Sequence, residues 1–378
     1  MYNIIKTLDH SIFTSQNGPF ISLYQPAHRG APQSEKDIIQ FKNLTKDIER
    51  HLEANHDKDA VKSILEPFYT LREDKAFWNR TADGVAVFAN PEHCVVFHLN
   101  HVVEPFSSIG DNLYLIPLYY SRQLVYSYHV LTLNSDAFAL FDCDHESCRK
   151  IRFDEDTPTT KEEVVGTPDV ERQHTHASYG GGAMYHGHDD AKDDVEKDIK
   201  RFFKHVDAFV YDHFSKQDKQ PLILYALPEH QTRFRALSQN PFLLEEGVKE
   251  SDNNVDEDRA YQKAWKIMAP KVDQYIDRLT SEFQAAKARG KASDDITDIV
   301  SHIKSGRVET ILIEKDRTLP GLIDMEKGTY EPHDETPPIF NDILNQIAIN
   351  VKDYGGEVII IEKERMPTDS PLAAIYRF

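Results

Sequence analysis

The residues best suited to chemistry in this chain lie in one segment, 174–190, which is rich in glycine and histidine. Two His-x-His pairs and two adjoining aspartates stand there: His174, His176, His186, His188, Asp189 and Asp190. Imidazoles and carboxylates can hold zinc or another divalent metal. The spacing, however, matches no established zinc motif, and the segment has no cysteine. We therefore expect no metal and no cofactor.

The same segment offers groups that bind RNA. Glycine reaches backbone conformations closed to other residues, and RNA recognition relies on aromatic and planar side chains. The candidate loop supplies both kinds of residue: Tyr179, Gly180, Gly181, Gly182, Ala183, Met184, Tyr185 and His186. Stacking or hydrogen bonding against RNA is the interpretation that we favour, and a flexible surface linker is the alternative.

The elements around this loop predict a domain over residues 126–245. An alternating hairpin precedes the loop, and a helical apolar period and a buried strand follow it. These elements cover residues 129–133, 137–141, 195–214 and 221–227. The long polar stretch between the hairpin and the helix has almost no apolar periodicity, which is typical of a functional or a disordered segment.

Helices and strands also precede the middle domain and predict a first domain over residues 1–125. Ser34 is expected to cap its first helix, and the apolar stretch from Leu113 to Tyr120 has the length of a strand. The other predicted elements are a strand at 20–24, helices at 38–52 and 60–71, and paired strands at 84–88 and 94–99.

The last part of the chain alternates in the same way and predicts a third domain over residues 259–378. Pro270 is expected to break or kink its long helix, and Lys304-Ser305-Gly306 to end the next one. The predicted helices are 261–283, 296–303 and 339–351, and the predicted strands are 310–313, 358–361 and 373–376. Helices that alternate with short apolar strands predict a mixed α/β architecture.

Composition excludes several classes of protein. The chain has 378 residues and a formal charge of −19, which excludes a uniformly cationic RNA binder. Residues 154–198 alone hold 13 acidic and 4 basic residues, so basic surfaces remain available elsewhere. No apolar run approaches the roughly 18 residues of a membrane span, and no signal peptide is recognisable. The three cysteines, Cys94, Cys143 and Cys148, predict thiols in a reducing compartment rather than a disulfide framework.

Three mixed domains in this order resemble the archaeo-eukaryotic peptide-chain release factor and Pelota superfamily, and in particular its bacterial branch. The residues that carry the resemblance are Ile21-Ser22-Leu23-Tyr24-Gln25-Pro26, Phe41-Lys42-Asn43-Leu44, Asp83-Gly84-Val85-Ala86-Val87-Phe88, Gly355-Gly356-Glu357-Val358-Ile359-Ile360, Met366-Pro367 and Ala373-Ala374-Ile375-Tyr376-Arg377. The resemblance implies an RNase H-like middle domain and a third domain similar to kink-turn-binding ribosomal proteins.

The resemblance also implies roles for the middle and first domains. The middle-domain loop would reach the peptidyl-transferase centre. Release factors carry Gly-Gly-Gln at that loop, whereas Ala183 follows the glycines here, so we expect no peptide release. The first domain lacks the Asn-Ile-Lys-Ser motif, so we expect contact with the decoding centre without stop-codon reading. The contacting residues would be His28, Arg29, Lys36, Lys42, Asn43 and Lys46.

For the third domain, the resemblance implies contact with the ribosomal stalk or with a translational GTPase. The candidate residues are Lys287, Arg289, Lys291, Lys304 and Arg307. The chain has no Gly-x-x-x-x-Gly-Lys-Ser/Thr sequence, so the GTPase must be a partner. We expect this partner to be elongation factor Tu.

Together these features predict a cytoplasmic, monomeric binding protein, not an enzyme, that occupies the ribosomal A site and inhibits translation under stress. Its expected partners are the ribosomal RNA of both subunits and elongation factor Tu, with no DNA and no membrane. Two enzymatic hypotheses stay open. One is a rescue factor that hydrolyses peptidyl-transfer RNA on stalled ribosomes, and the other is a metal-dependent hydrolase that uses the histidine-rich loop.

Overall fold

Helices and β-sheets alternate along the part of the chain that the computed structural model describes. That part comprises residues 2–4, 18–28, 30–81, 83–99, 102–123, 126–145, 147–166, 189–252, 254–334 and 338–378, without the side chains of residues 122 and 189–194. The predicted mixed α/β class is confirmed. None of the helices in these ranges is long and apolar enough to span a membrane.

The helices are α1 (Gln33–Glu53), α2 (Lys58–Glu73), α3 (Lys75–Arg80), α4 (Ile116–Arg122), α5 (Lys161–Val165), α6 (Asp189–Val210), α7 (Lys216–Asp218), α8 (Pro228–Arg235), α9 (Glu257–Lys287), α10 (Ile296–Ile303) and α11 (Ile343–Asp353). A π-helical turn over Tyr211–Ser215 joins α6 to α7, and a 3₁₀ turn covers Lys363–Arg365.

The strands are β1 (Asn3–Ile4), β2 (Phe20–Ala27), β3 (Asp83–Ala89), β4 (Cys94–Leu99), β5 (Phe106–Gly110), β6 (Tyr128–Leu133), β7 (Phe138–Cys143), β8 (Cys148–Lys150), β9 (Leu222–Tyr225), β10 (Leu243–Val248), β11 (Ala292–Ser293), β12 (Val308–Glu314), β13 (Gly321–Asp324), β14 (Thr329–Pro332), β15 (Glu357–Ile361) and β16 (Leu372–Tyr376).

These elements group into two compact units. The first contains Met1–Gln123 and Gln274–Phe378, and the second contains Leu124–Asp273. The first unit therefore holds two main sheets, one from each end of the chain, and the second unit holds one. The division into three domains with the boundaries given above stays a prediction.

The N-terminal sheet has the order β1-β4-β3-β2-β5, and helices α1 to α3 accompany it. The predicted pair of strands is confirmed, because β3 and β4 are antiparallel. Helix α1 places Phe41, Ile48 and Leu52 in the core beside the sheet. The predicted cap is wrong: α1 begins at Gln33, and the buried Ser34 donates its hydroxyl to Asn79 Oδ1 at 3.1 Å instead.

The apolar stretch from Leu113 to Tyr120 is not a strand. Helix α4 begins in its middle, at Ile116, and has Pro117 in its first turn. Proline suits this position because the first N–H groups of a helix have no intrahelical partner and the proline φ is already helical. The stretch is apolar because α4 packs inward: Leu118 and Tyr120 are buried.

The C-terminal sheet has the order β11-β16-β12-β15, with the two-stranded hairpin β13–β14 separate from it. Within the first unit, this part of the chain contacts the N-terminal part through close packing and through side-chain hydrogen bonds. A Cβ atom at Gly110 would lie 2.7 Å from both Asn341 Oδ1 and the Phe340 carbonyl oxygen. Asn345 donates to the Leu113 carbonyl at 2.8 Å and accepts from the Leu115 N–H at 2.6 Å.

The second unit contains one sheet with the order β10-β9-β6-β7-β8. The predicted hairpin is confirmed, because β6 and β7 are antiparallel and the Asn134 side chain accepts from two backbone N–H groups in the turn. Two apolar clusters flank this sheet, one with side chains from α6 and one with side chains from the start of α9. Helix α9 continues through Pro270, so the helix does not break there, and a kink at this proline stays a prediction.

Two of the three cysteines are not thiols. Cys143 ends β7 and Cys148 begins β8, where the antiparallel register sets them opposite each other. They form a disulfide, with a Cα–Cα distance of 4.0 Å. The expectation of thiols is therefore wrong for this pair, because the hairpin that pairs them left no clear signal in the sequence. Cys94 is a free, buried thiol, as expected, and burial raises its pKa to about 12.

Candidate functional site

The central loop predicted to approach RNA, from Tyr179 to His186, lies outside the described residues. The four histidines of the possible metal site lie outside them as well, and so does Arg29. The roles assigned to these residues stay predictions. What the structure describes are the two elements that flank the loop, α5 and α6.

Helix α5 is fixed at its start by a capping box. The Thr160 hydroxyl accepts from the Glu163 N–H, and the Glu163 carboxylate accepts from the Thr159 and Thr160 N–H groups at 2.8 and 2.9 Å. These N–H groups lower the pKa of Glu163. The helix ends at Val165, and Gly166 follows with a φ of 85°. The chain therefore enters the loop from a firmly anchored turn.

A cavity of about 650 Å³ opens beside this anchor, lined by Asp136, Ala137, Thr160, Lys161, Glu162, Val165, Gly166 and Asp198. Lys161 donates to Asp136 at 2.7 Å, and this contact lowers the pKa of Asp136. The described lining of the cavity includes no histidine, cysteine or serine, and its polar side chains are those of Asp136, Thr160, Lys161, Glu162 and Asp198. The cavity lies next to Gly166, the last described residue before the loop.

The predicted first-domain residues on α1 share its exposed side. Lys36, Lys42, Asn43 and Lys46 are all exposed, and Ile39 lies among them with 58% of its surface accessible. Spacings of three and four residues repeat along one face of a helix. Among the described residues, no carboxylate forms an ion pair with any of the three lysines. The α1 stripe, as we call these five residues, therefore presents three lysine ammonium groups that form no ion pair with a described carboxylate.

His28 adjoins the start of this stripe. Its backbone N–H donates to Asp37 Oδ2 at 2.6 Å, and its ring Nδ1 lies 3.0 Å from Asp37 Oδ1. Asp37 is buried in the first turns of α1, whereas half of the His28 side chain is exposed. The structure thus brings His28 and Lys36 to one end of the same surface.

The five predicted third-domain cations do not share one environment. Lys287 donates to Asp294 at 2.6 Å, so its charge is paired. Arg307 donates to the carbonyl oxygen of Phe378. Arg289, Lys291 and Lys304 are exposed and form no ion pair with any carboxylate that the structure describes.

One cationic and one aromatic residue at this end of the C-terminal sheet were not predicted from the sequence. Arg377 and Phe378 follow β16 directly, and Phe378 has 63% of its surface exposed. The signal was the alternation Tyr376-Arg377-Phe378, an arginine between two aromatic residues. This segment alone could not reveal a binding surface, because the surface depends on contacts with Arg307, which is distant in sequence.

The second unit contains a buried histidine that cannot serve as a cationic group near neutral pH. His129 is 2% exposed, and its Nε2 lies 3.9 Å from Asp142 and 3.7 Å from Asp218. Burial lowers the pKa of His129 to about 4 and raises the pKa of Asp218. Within the described ranges, no group of three histidine, cysteine or carboxylate side chains is arranged to hold a metal ion.

Comparison with known proteins gives a family match for part of the chain. Residues 127–307 match the model of bacterial archaeo-eukaryotic release factor family 3. The matched segment contains the second-unit sheet, both flanks of the glycine loop and α9. It supports the predicted superfamily for this segment. No curated protein matches the chain.

Several solved structures are similar over much of the chain at low identity. An archaeal translation termination factor, aRF1, is 14% identical over 97% of this chain and 96% of its own, with a TM-score of 0.28. Dom34 of S. cerevisiae is 12% identical over 76% and 73%, with a TM-score of 0.37. Pelota of Archaeoglobus fulgidus is 12% identical over 67% and 64%, with a TM-score of 0.24. Similarities this distant do not establish a shared function.

Proposed function

We propose that the chain is a ribosome-binding factor of the release-factor-like type that occupies the A site of idle ribosomes and inhibits translation, as a hibernation factor similar to Balon. The observation that carries the proposal is the family match over residues 127–307, combined with the loss of the release motif inside that segment. A factor that keeps the delivery architecture without the hydrolytic residue can fill the A site without releasing the peptide.

Ala183 is the reason why we propose no peptide release. In release factors the residue after the glycines is a glutamine that helps to position water at the ester. An alanine methyl group has no donor or acceptor, so it cannot orient a water molecule for attack. A loop that binds at this centre without positioning a nucleophile occupies it but does not catalyse hydrolysis. We therefore propose that the loop occupies the peptidyl-transferase centre and does no chemistry.

The α1 stripe supports the proposed contact with ribosomal RNA in the decoding centre. Its lysines are exposed and have no carboxylate partner among the described residues, so their charge is available to phosphates. The proposed GTPase partner is elongation factor Tu, which would engage the third-domain cations. We also propose a cytoplasmic monomer that needs no cofactor.

Sedimentation of the purified chain with ribosomes tests the proposal. We expect the chain to pellet with vacant ribosomes, and elongation factor Tu to increase the pelleted fraction. We also expect saturating protein to inhibit translation in a reconstituted system. Failure to pellet, together with translation that is unaffected at saturation, would contradict the proposal.

The glycine run favours one competing function, a rescue factor that hydrolyses peptidyl-transfer RNA. Gly180, Gly181 and Gly182 are present, and backbone N–H groups with ribosomal RNA can assist hydrolysis without a glutamine. Release of a labelled peptide from stalled ribosomes separates the two functions. The proposal expects no release above background, whereas multiple turnover that is abolished by Gly181→Ala and Gly182→Ala would establish the rescue factor.

A further inference from the structure

Three chain segments of the first unit converge at one end of the C-terminal sheet. They are the turn after α10, the turn after α11 and the two residues after β16. Each of the two turns contains a glycine in the left-handed region, Gly306 with a φ of 66° and Gly355 with a φ of 75°. We call the surface formed by Arg307, Tyr354, Arg377 and Phe378 the C-terminal patch.

Arg377 holds the three segments together. Its guanidinium donates to the Gly306 carbonyl at 3.0 Å and also to the Gly355 carbonyl. Its backbone N–H donates to the Arg307 carbonyl at 2.9 Å. The two glycine carbonyls lie in the turns that end two helices, where a cation is favoured. The patch therefore has a defined shape although it is exposed.

Arg307 places a second guanidinium against aromatic rings. Its Nε and Nη2 donate to the Phe378 carbonyl at 3.2 and 2.7 Å. Its guanidinium carbon lies 5.6 Å from the centre of the Phe378 ring and 5.8 Å from the centre of the Tyr376 ring. These distances are within the range of cation–π attraction. The Phe378 ring is thus held beside Arg307 while 63% of the residue stays exposed.

Part of the positive charge of the patch has no carboxylate partner among the described residues. Arg377 donates to two internal carbonyl oxygens, and no side-chain carboxylate of the described residues forms an ion pair with it, whereas the acceptor of Arg307 is an oxygen of the terminal residue, Phe378. A guanidinium has five N–H donors, so both retain donors for a ligand. Lys291 adds another exposed cation, because its carbonyl accepts from the Tyr376 N–H at 2.9 Å and its side chain is exposed. On a chain with a formal charge of −19, Arg377 and Lys291 are thus two cations that remain available to an anionic ligand.

We propose that the C-terminal patch binds an unstacked nucleotide of RNA. A base would stack on the exposed ring of Phe378, and Tyr354 (43% exposed) is a second exposed aromatic residue of the patch. The guanidiniums of Arg307 and Arg377 and the ammonium of Lys291 would bind the flanking phosphates. Planar guanidiniums match phosphate geometry, and exposed aromatic rings accept any base.

RNA fits this surface better than an acidic protein segment does. A protein interface is centred on a buried apolar core with charges at its rim. Here two exposed aromatic residues, Tyr354 and Phe378, belong to one patch with two guanidiniums, and 63% of Phe378 is exposed. Looped or single-stranded RNA supplies the alternation of base and phosphate that this pattern matches. The inference deepens the proposed function, on which it rests for the source of the RNA.

Fluorescence anisotropy with the full-length chain tests the inference, using a short single-stranded RNA, an RNA hairpin with a loop, and a blunt duplex of the same length. We expect the single strand and the loop to bind more tightly than the duplex. Phe378→Ala is expected to weaken loop binding by about tenfold or more, because it removes a stacking surface. Phe378→Trp, which keeps an aromatic face, is expected to stay within about twofold of the unmodified chain.

Two controls separate stacking and charge from general effects. Val102→Ala removes an equally exposed apolar side chain of the same unit (62% exposed) and is expected to leave binding unchanged. Lys291→Glu is expected to weaken binding and to flatten its salt dependence. Lys266→Glu, at an exposed position on α9, serves as its matched control.

The outcomes distinguish this inference from the proposed function. Equal binding of duplex and loop, or no effect of Phe378→Ala, would overturn the patch as a nucleotide site. Binding of a polyglutamate peptide with the same dependence on Phe378 would assign the patch to a protein partner instead. If the chain bound the RNA loop but failed to pellet with ribosomes, the proposed function would fail and the patch would stand.

Discussion

The side-chain amide of Gln123 makes both backbone hydrogen bonds of Ile360. Its Nε2 donates to the Ile360 carbonyl at 2.9 Å, and its Oε1 accepts from the Ile360 N–H at 2.9 Å. Ile360 lies in β15, the last strand of the C-terminal sheet order. The amide therefore takes the place of one residue of a further strand, and it covers an edge that would otherwise expose unpaired backbone groups.

Replacing Gln123 by Leu is expected to destabilise the protein by about 3 kcal/mol, because two buried backbone groups lose their partners. Chemical denaturation measures this change. Gln262→Leu, at an exposed position on α9, is the matched control and should change the free energy of unfolding by less than about 0.5 kcal/mol. Equal stabilities for the two variants would show that the amide contributes nothing to the edge.

Asp342 gives the first unit a pH-dependent stability. It caps α11, its carboxylate accepts from the Leu319 N–H at 2.8 Å, and burial raises its pKa to about 7. The folded protein therefore holds this proton at pH values where the unfolded chain has released it. The contribution is complete below the unfolded pKa of about 4 and is lost as the pH rises towards 7.

The test compares the unmodified chain with Asp342→Asn, which keeps a capping side chain but does not titrate. Between about pH 5 and about pH 7.5 the unmodified chain should lose about 2–3 kcal/mol relative to the variant. The difference between the two curves removes the contributions of all other titrating groups. Parallel curves over this range would contradict a raised pKa at Asp342.

Because Cys143 and Cys148 form a disulfide, the oxidised chain should have one free thiol. Without reductant, mass spectrometry after alkylation of the unfolded chain should find one modified cysteine, Cys94, and with reductant all three. Because the bond closes a loop only about six residues long, reduction should lower the free energy of unfolding by about 2 kcal/mol. Three alkylated cysteines in a sample kept oxidised would show that the hairpin carries thiols.

We expect the lysines of the α1 stripe to contribute to ribosome binding. Replacing Lys36, Lys42 and Lys46 together by Glu should weaken sedimentation with ribosomes by about tenfold or more and reduce its salt dependence, because fewer counterions are released from RNA. Lys62→Glu, on the exposed side of α2, should have little effect. Unchanged binding of the triple variant, with its helix content intact by circular dichroism, would remove α1 from the interface.

Local patterns in the sequence were enough to predict most elements of the fold. The alternation in residues 129–133 and 137–141 predicted β6 and β7, and the apolar period from Val195 to Phe214 predicted α6 and the turn after it. These patterns succeed because each element buries one face against its own sheet. Lys36, Lys42, Asn43 and Lys46 were named from the family resemblance, and their role in binding stays a prediction, although the structure places all four on the exposed side of α1.

The features that could not be predicted depend on residues that are distant in the sequence. The stretch from Leu113 to Tyr120 reads as a strand because it is short and apolar, and it is helical in part because α4 packs inward. The reciprocal bonds of Gln123 and Ile360 join residues 237 positions apart, for which no local pattern exists. The C-terminal patch required Arg307 to meet Phe378 across the sheet, so only the Tyr376-Arg377-Phe378 alternation was visible beforehand.

Competition for the A site tests whether the chain binds there. Binding of the labelled chain is measured on ribosomes whose A site is either vacant or filled beforehand with transfer RNA. Occupation by transfer RNA should reduce binding by about tenfold or more, since exclusion from a shared site is a difference of at least about 1.4 kcal/mol. Equal binding to both kinds of ribosome would show that the chain binds outside the A site and would contradict the proposed function.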